Sequence, residues 1–266
     1  MNYSVLMTVY KKDDPKHFSE AIESMLKQTV PTNDFILVCD GKLPIGLNRV
    51  IAGYGNKLKV IRLDKNYGLG IALNKGLASC SNELIARMDS DDISLPDRCE
   101  KQIREFENDD QLSVLSGTVQ EFSGDDLLQK RVLPEYNDEI IEWSRKRNPF
   151  NHPAVMFRKS AVIKAGGYTE DFHLFEDYDL WTRMLRNDEK AKNLTDVLLY
   201  MRVSDNTYKR RGGKNYAKAL LKFHNHLRKS GWIDSRSFLT CAVPHAGVCV
   251  MPNILRKKVY KTLRES

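Results

Sequence analysis

The sequence lacks paired cysteines, and this absence bears on where the protein works. Its five cysteines stand at positions 39, 80, 99, 241 and 249, with no Cys-x-x-Cys spacing among them. Cys39 and Cys80 fall in apolar or helical surroundings typical of buried thiols. Since the N-terminus also has no signal-peptide pattern, the sequence predicts a chain that lives in a reducing cytoplasm.

Long uninterrupted apolar runs, internal repeats and low-complexity segments are also missing. The most apolar stretch, Phe238–Leu255, is broken by Pro244, His245, Pro252 and Asn253, so a membrane span is not expected. The chain has 266 residues, of which 41% are hydrophobic. That is enough for one sizeable α/β domain with a helical extension.

Acidic residues are nearly absent from the C-terminal end. Residues 207–266 hold 14 Lys and Arg against 2 acids, a balance of +12, whereas residues 1–206 hold 28 against 33, or −5. A predicted helix over 254–263 places Leu255, Val259 and Leu263 on one side with basic residues around them. Basic residues beside apolar ones favour peripheral binding to an anionic membrane surface. Nucleic-acid binding is the competing use, but no nucleic-acid module is recognisable, and a contact in a homo-oligomer is the better alternative.

Apolar strand-like runs alternate with helical patterns in the first ninety residues. Strands are predicted over 3–10, 35–39, 58–63 and 84–88, with helical patterns between them. This alternation predicts a parallel sheet covered by helices, which binds ligands beyond the carboxyl ends of its strands. Four polar or aromatic residues fall at those ends: Tyr10, Asp40, Asn66 and Asp89.

Three carboxylates follow the fourth predicted strand, at Asp89, Asp91 and Asp92. Carboxylates one residue apart at a strand end favour a hard divalent cation that also takes oxygen ligands from phosphates. An EF-hand is not expected, because Ser94 stands where that loop needs glycine. Acid-rich segments also occur in solvated loops and at helix N-termini.

With these blocks in place, the sequence resembles the family 2 glycosyltransferases, inverting enzymes of the GT-A fold. The likeness is carried by Ser4–Tyr10 with Ala21–Ser24 and Gln28-Thr29, Val38–Gly41, Asn66–Gly76, Ala86–Ile93 with Pro96–Arg98, and Gly166–Tyr168 followed by Phe175–Trp181. The resemblance implies a Rossmann-like, mostly parallel central sheet flanked by helices. It implies a catalytic domain over 1–206, with a nucleotide-binding half at 1–92 and an acceptor-binding half at 93–206, before a basic helical extension over 207–266.

The same resemblance implies a binding site for a nucleoside diphosphate sugar. The implied donor residues are Thr8, Val9, Tyr10, Asp40, Asn66, Arg87, Asp89 and Ser90. Tyr10 would pack against the base, and Asp40 would accept the N3 hydrogen of uracil, which favours a UDP-sugar. Asp89 and Asp91 match the DXD motif that binds Mn²⁺ or Mg²⁺. Cys39 and Lys42 depart from the Asp-Asp-Gly-Ser of the family, and Arg87 either adds charge near the nucleotide or forms a salt bridge to the nearby acids.

An inverting transfer also needs a base on the acceptor side. Asp177 matches the catalytic acid of the family and lies one helical turn before Trp181, whereas Glu176 and Asp179 are expected to point elsewhere. Stabilisation of a helix N-terminus is the alternative role for these acids. Further acceptor or diphosphate candidates are Glu176, Trp181, His152, Lys209, Arg210 and Arg211.

Taken together, these observations predict a metal-dependent inverting glycosyltransferase on the inner face of a bacterial cell membrane. The resemblance to O-antigen and capsule transferases suggests transfer of a hexose, galactose being the suggested sugar, to a polyprenyl-diphosphate-linked saccharide. A nucleotidyltransferase is one alternative, but Thr8–Asp14 contains no glycine for its phosphate loop. A non-catalytic nucleotide-sugar or glycan-binding protein is the other.

Overall fold

The computed structural model describes residues 1–204, 212–252, 255, 256 and 259. Its first half alternates strands and helices as the sequence predicts. The strands are β1 (Tyr3–Val9), β2 (Asp34–Cys39), β3 (Lys59–Arg62) and β4 (Leu84–Met88), and the helices are α1 (Pro15–Leu26), α2 (Ile45–Tyr54) and α3 (Leu69–Ser79). These strands pair in parallel in the order β3-β2-β1-β4. Val9 pairs with Cys39 and Met7 with Met88, so the carboxyl ends of β1, β2 and β4 meet at one edge.

The second half extends this sheet with strands of both directions. It contains β5 (Ile93–Ser94), α4 (Arg98–Asn108), β6 (Leu112–Ser123), β7 (Asp126–Arg131), α5 (Asn137–Ser144), β8 (Met156–Arg158), α6 (Lys159–Lys164), α7 (Glu176–Arg186) and β9 (Lys190–Arg202). The sheet continues from β4 through β8, β6 and β9 to β5, and β7 pairs with β6. Because β8 is antiparallel to both β4 and β6, the sheet is mixed here. The predicted α/β fold is confirmed, and these antiparallel strands are its departure from a parallel sheet.

Helices cover both faces of the sheet, and β1 shows how the sequence divides them. Val5 and Met7 point into the core shared with α1, α2 and α4, whereas Leu6 between them points into the core shared with α3, α6 and α7. On that second face α3 lies very close to the sheet. A Cβ atom on Gly76 would stand 2.3 Å from Leu6 Cδ1, so this crossing requires glycine.

The C-terminal part forms a helical hairpin against α7. It consists of α8 (Lys214–Lys229), two short helical turns (Ser235–Ser237 and Phe238–Ala242) and α9 (Val243–Val250). Phe223 of α8 packs against Phe175 and Tyr178 at the start of α7. Most of the helix predicted over 254–263 lies outside the described residues. In the part of the chain that the structure describes, no helix combines the length and apolar content that crossing a bilayer requires.

Candidate active site

Asp40 organises the sheet edge where β1 and β2 end. One carboxylate oxygen accepts the Tyr67 N–H at 2.7 Å, and the other accepts Asn66 Nδ2 at 2.9 Å and the Gly68 N–H at 3.0 Å. The Asp40 carboxylate therefore holds the loop that leads into α3. Gly41 follows with a φ of 89°, and a Cβ there would stand 2.8 Å from the backbone nitrogen of Asn66, so only glycine fits.

Asp13 connects the end of β1 to the acidic loop after β4. A single oxygen, Oδ2, accepts the Tyr10 N–H at 3.0 Å and the Ser90 hydroxyl at 2.9 Å. Val9 is buried and also accepts the Asp40 N–H at 2.8 Å, so the Thr8–Tyr10 turn is fixed to both neighbouring strand ends. Sequence reasoning missed Asp13, although an Asp in the loop just after a strand is a frequent acceptor for nearby backbone N–H groups.

Three carboxylates converge after β4. Ligand oxygens of Asp89, Asp91 and Asp92 all lie within 4.8 Å of one another. Asp92 is buried and accepts the Arg202 N–H at 2.8 Å. Burial, together with the charges of Asp91 and Asp89, raises the pKa of Asp92 well above its usual value. The sequence proposed Asp89 and Asp91 as metal ligands, and the geometry adds Asp92 to the oxygen atoms that surround this point.

Arg202, at the end of β9, clamps the acidic loop from the other side. Its Nε donates to the Asp91 carbonyl at 2.9 Å, and its Nη2 donates to Glu20 at 2.7 Å. The guanidinium carbon lies 4.5 Å from the centre of the Phe122 ring. The loop that carries the acids is therefore fixed by the strand that leads toward the C-terminal extension.

Arg87 is a buried cation beneath the acids. It forms an ion pair with Asp89, while its Nε and Nη1 have no hydrogen-bond partner in the described structure. Burial opposes the charged form, but Asp89 more than offsets this effect and raises the pKa of Arg87. Of the two roles that the sequence left open, the structure shows the salt bridge.

Asp177 lies in the first turn of α7, where it faces His152. One of its oxygens, Oδ2, accepts Asn148 Nδ2 at 2.7 Å and lies 3.9 Å from His152 Nδ1. Burial raises the pKa of Asp177, and the Asn148 bond and the charge of Arg87 partly oppose that rise. A buried carboxyl group with a raised pKa is a candidate for a general base.

Tyr168 and His152 form the wall beside Asp177. The Tyr168 hydroxyl lies 3.2 Å from His152 Nε2. Asn74 of α3 fixes Tyr168 through two bonds, accepting its N–H at 2.9 Å and donating to its carbonyl at 2.7 Å. Burial and the charge of Arg87 lower the pKa of His152 well below its usual value, so this imidazole is neutral.

One expectation about α7 needs correction. Trp181 is fully buried and packs beneath His152 and Tyr168, so it supports the site without lining it. Glu176 and Asp179 are also buried, and they contact other residues than Asp177 does. Asp179 pairs with Arg183 at 2.8 Å, and Glu176 lies 3.2 Å from His173, its pKa raised by burial. The remaining candidates, Lys209, Arg210 and Arg211, lie outside the described residues.

A family model for glycosyl transferase family 2 matches residues 4–166. The chain belongs to this family and is a glycosyltransferase, as its sequence predicted. It is 39% identical over 264 residues to the UDP-Gal:alpha-D-GlcNAc-diphosphoundecaprenol beta-1,3-galactosyltransferase of Escherichia coli, covering 97% of this chain and 95% of that protein. It is 37% identical over 236 residues to the amylovoran biosynthesis glycosyltransferase AmsE of Erwinia amylovora, covering 87% of this chain and 88% of that protein.

Solved structures support the fold alone. The mannosyltransferase PcManGT from Pyrobaculum calidifontis, in complex with GDP-Man and Mn²⁺, aligns with a TM-score of 0.65 at 14% identity, covering all of this chain and 81% of that one. S. aureus TarS 1-349 in complex with UDP-GlcNAc aligns with a TM-score of 0.64 at 20% identity, covering 83% of this chain and 65% of that one. The GT-A fold expected from the sequence is confirmed.

Proposed function

We propose that the protein transfers galactose from UDP-galactose to a saccharide carried on a polyprenyl diphosphate, in the synthesis of a bacterial surface polysaccharide. The observation that carries this proposal is the 39% identity, over 97% of this chain, to a galactosyltransferase named for a GlcNAc-diphosphoundecaprenol acceptor. The site chemistry supports it, since an acidic cluster suited to a diphosphate's cation and a buried carboxyl group, Asp177, both interact with the charge of Arg87.

The donor half of the site is built for a nucleoside diphosphate with a divalent cation. Asp89, Asp91 and Asp92 would hold Mn²⁺ or Mg²⁺, because they offer only the oxygen ligands that hard cations prefer. Such a cation, when bound, supplies positive charge for the departing diphosphate. A cation would also offset the repulsion from Asp91 and Asp89, which adds to burial in raising the pKa of Asp92. Tyr10 and Asp40 would contact the base of the donor.

On the acceptor half, Asp177 would act as the general base. The acceptor oxygen forms its bond to the anomeric carbon on the face opposite the diphosphate, and the bond from that carbon to the diphosphate oxygen breaks. The acceptor hydroxyl gives its proton to Asp177. A single displacement of this kind inverts the anomeric centre, so an α-linked donor gives a β-linked product. Asn148 orients the Asp177 carboxylate, and neutral His152 is placed to bond a sugar hydroxyl.

The Asp177→Asn variant tests this assignment. We expect it to lose transfer from UDP-galactose by about 10²- to 10⁴-fold, because the amide accepts no proton. It should still bind donor, so UDP with Mn²⁺ at 100 times its dissociation constant should stabilise it, like the parent protein, by about 2.7 kcal/mol in thermal unfolding. Near-normal turnover in Asp177→Asn would refute the base assignment.

The Asp91→Ala variant tests the metal site separately. We expect UDP to stabilise the parent protein only when Mn²⁺ or Mg²⁺ is present. Asp91→Ala should lose this stabilisation, because one charged ligand of the metal is removed. The matched control is Asp97→Ala, because Asp97 is an acid that follows the same loop but pairs with Lys101. UDP binding that is equally strong with and without metal in the parent protein would contradict a metal-dependent enzyme.

The proposed acceptor implies work at a membrane surface. The protein would attach peripherally to the inner face of the cell membrane, with residues 1–206 as the catalytic domain and 207–266 as the basic extension. A homo-oligomer built through the extension is the alternative use of that segment.

A further inference from the structure

Part of the C-terminal hairpin exposes apolar side chains that no other part of the described structure covers. Leu239 is 62% exposed, Val243 43%, Val250 53% and Met251 39%. We call these four residues the apolar face. Spacings of four and seven place Leu239, Val243 and Val250 along one side of the helical segment, and Met251 follows directly after α9 ends. The neighbouring side, formed by Ala242, Ala246 and Cys249, is buried against α8.

Basic residues accompany the apolar face, and acids are nearly absent. Residues 212–252 contain six basic side chains and one acid, Asp234, a balance of +5. The basic residues are Lys214, Lys218, Lys222, Arg228, Lys229 and Arg236. Between Asp234 and Glu265 the sequence has no acid at all. Such a combination complements a surface that is apolar inside and negatively charged outside.

A second exposed apolar patch lies on and just after β7, and its charges are balanced. Leu127 is 64% exposed and Val132 61%. Asp125 and Asp126 directly precede Leu127, and Lys130 and Arg131 directly precede Val132. Exposed apolar area alone therefore does not distinguish the hairpin, whereas the charge around it does. The β7 patch provides a matched control.

The hairpin is packed directly onto the helix that carries the proposed base. The Phe223 ring of α8 is stacked on Phe175 with centroids 5.1 Å apart and lies 4.8 Å from the Tyr178 ring. Asp177 stands between these two aromatic residues in the sequence. Any surface that binds to the hairpin would thus have a fixed position relative to the first turn of α7.

We propose that the apolar face inserts into the headgroup and acyl boundary of an anionic lipid bilayer. The lysines and arginines of residues 212–252 then contact lipid phosphates. This attachment would hold the α7 end of the site near the membrane surface, where the diphosphate of a lipid-linked acceptor lies. Only the statement about the acceptor rests on the proposed function, because attachment to lipid requires no sugar.

Vesicle binding tests the proposal. The full-length protein is mixed with phosphatidylcholine vesicles that contain or lack phosphatidylglycerol, and bound protein is measured by flotation. We expect binding to the anionic vesicles and a fall in partition of about tenfold or more in Leu239→Glu/Val250→Glu, since two charges enter the inserted face. Leu127→Glu/Val132→Glu should bind like the parent protein. All substituted side chains are exposed, so similar unfolding midpoints are expected and would be verified.

Three results would overturn the proposal. The first is equal binding of the two double variants, and the second is equal binding of the parent protein to neutral and anionic vesicles. The third is a dimer in analytical ultracentrifugation that the apolar-face variant dissociates, which would assign the face to a second copy of the chain.

Activity measurements separate this proposal from the proposed function. With acceptor dispersed in detergent, the apolar-face variant should transfer galactose like the parent protein, and with acceptor embedded in anionic vesicles it should be slower. If the parent protein transfers no galactose while the pattern of vesicle binding holds, the proposed function fails and the docking surface stands.

Discussion

The acidity of Asp177 is set by its burial and by two neighbours, Asn148 and Arg87, whose effects oppose that of burial. Burial disfavours the carboxylate and raises the pKa of Asp177. The bond from Asn148 and the charge of Arg87 favour the carboxylate and lower that pKa. A base must be ionised to accept a proton, so these neighbours determine the pH at which the proposed reaction becomes possible.

Substitution of Asn148 should therefore shift the pH dependence of the enzyme. In Asn148→Ala the carboxylate loses a hydrogen bond to its charged form, so the pKa of Asp177 rises. Because kcat/KM increases as Asp177 ionises, the acidic limb of the pH profile of kcat/KM should move to higher pH. The measurement is kcat/KM against pH, with Asn225→Ala, an amide on the exposed side of α8, as the control. An acidic limb that stays in place would show that Asn148 does not tune the base.

At this scale the sequence proposed candidate reactive groups but not their hydrogen-bond partners. Asp89, Asp91 and Asp177 were proposed because strand ends, acidic spacing and family motifs mark them, and Asp92 was noted as the third carboxylate of the same loop. Asp13 and Asn148 were missed, because they depend on contacts between distant positions. The Asp13–Ser90 bond spans 77 residues and the Asn148–Asp177 bond spans 29, and no local pattern encodes either one.

At the scale of elements, the approach of α3 to the sheet depends on Gly76. This glycine faces Leu6 and Val38, and the N-terminal end of the same helix lies at the site edge. Asn74, two residues earlier, fixes Tyr168. The packing of one helix therefore supports both the donor loop and the wall beside the base.

Gly76→Ala should destabilise the fold by about 1–3 kcal/mol, because its methyl group would overlap the side chains of Leu6 and Val38. Gly53, in α2, is the matched control, since a Cβ there meets nothing within 4 Å. Gly53→Ala should instead stabilise by about 0.5–1 kcal/mol through helix propensity. Urea denaturation of both variants measures the difference, and equal shifts would mean that α3 moves away from the sheet at little cost.

The sequence predicted the four strands of the first half of the sheet and missed most of the second half. β1 and β2 were recognised because apolar residues dominate them, and β4 because it begins with the apolar run Leu84–Ala86. The long strands β6 and β9 were not predicted, and β5 has only two residues, too few to show a period. The directions of these strands are set by pairing between distant parts of the chain, which no local pattern encodes.

At the scale of the whole molecule, the described part of the basic extension packs against the rest of the protein. The boundary proposed at residue 206 follows charge, but the aromatic cluster around Phe223 crosses it. Phe175 and Tyr178 belong to the segment before the boundary, and Leu220 and Leu227 to the segment after it. Residues on both sides should therefore unfold together.

Phe223→Ala should test this shared core. We expect a loss of about 3–5 kcal/mol in unfolding free energy, since a fully buried phenyl ring is removed. Transfer should also slow, because Phe175 and Tyr178 flank the proposed base. Leu239→Ala, an exposed position in the same hairpin, should change stability by less than about 0.5 kcal/mol. If Phe223→Ala unfolds in two separate transitions, the extension is an independent unit.

The buried guanidinium of Arg87 has a consequence for the engineering of donor choice. It pairs with Asp89 on the donor side, and its charge also lowers the pKa values of Asp177, His152 and Tyr168 on the acceptor side. One counter-ion thus acts on both halves of the proposed site, which would couple the binding of the two substrates reciprocally. Substitution of the proposed donor acids should therefore also change the pKa of Asp177, so the two halves of the site would have to be redesigned together.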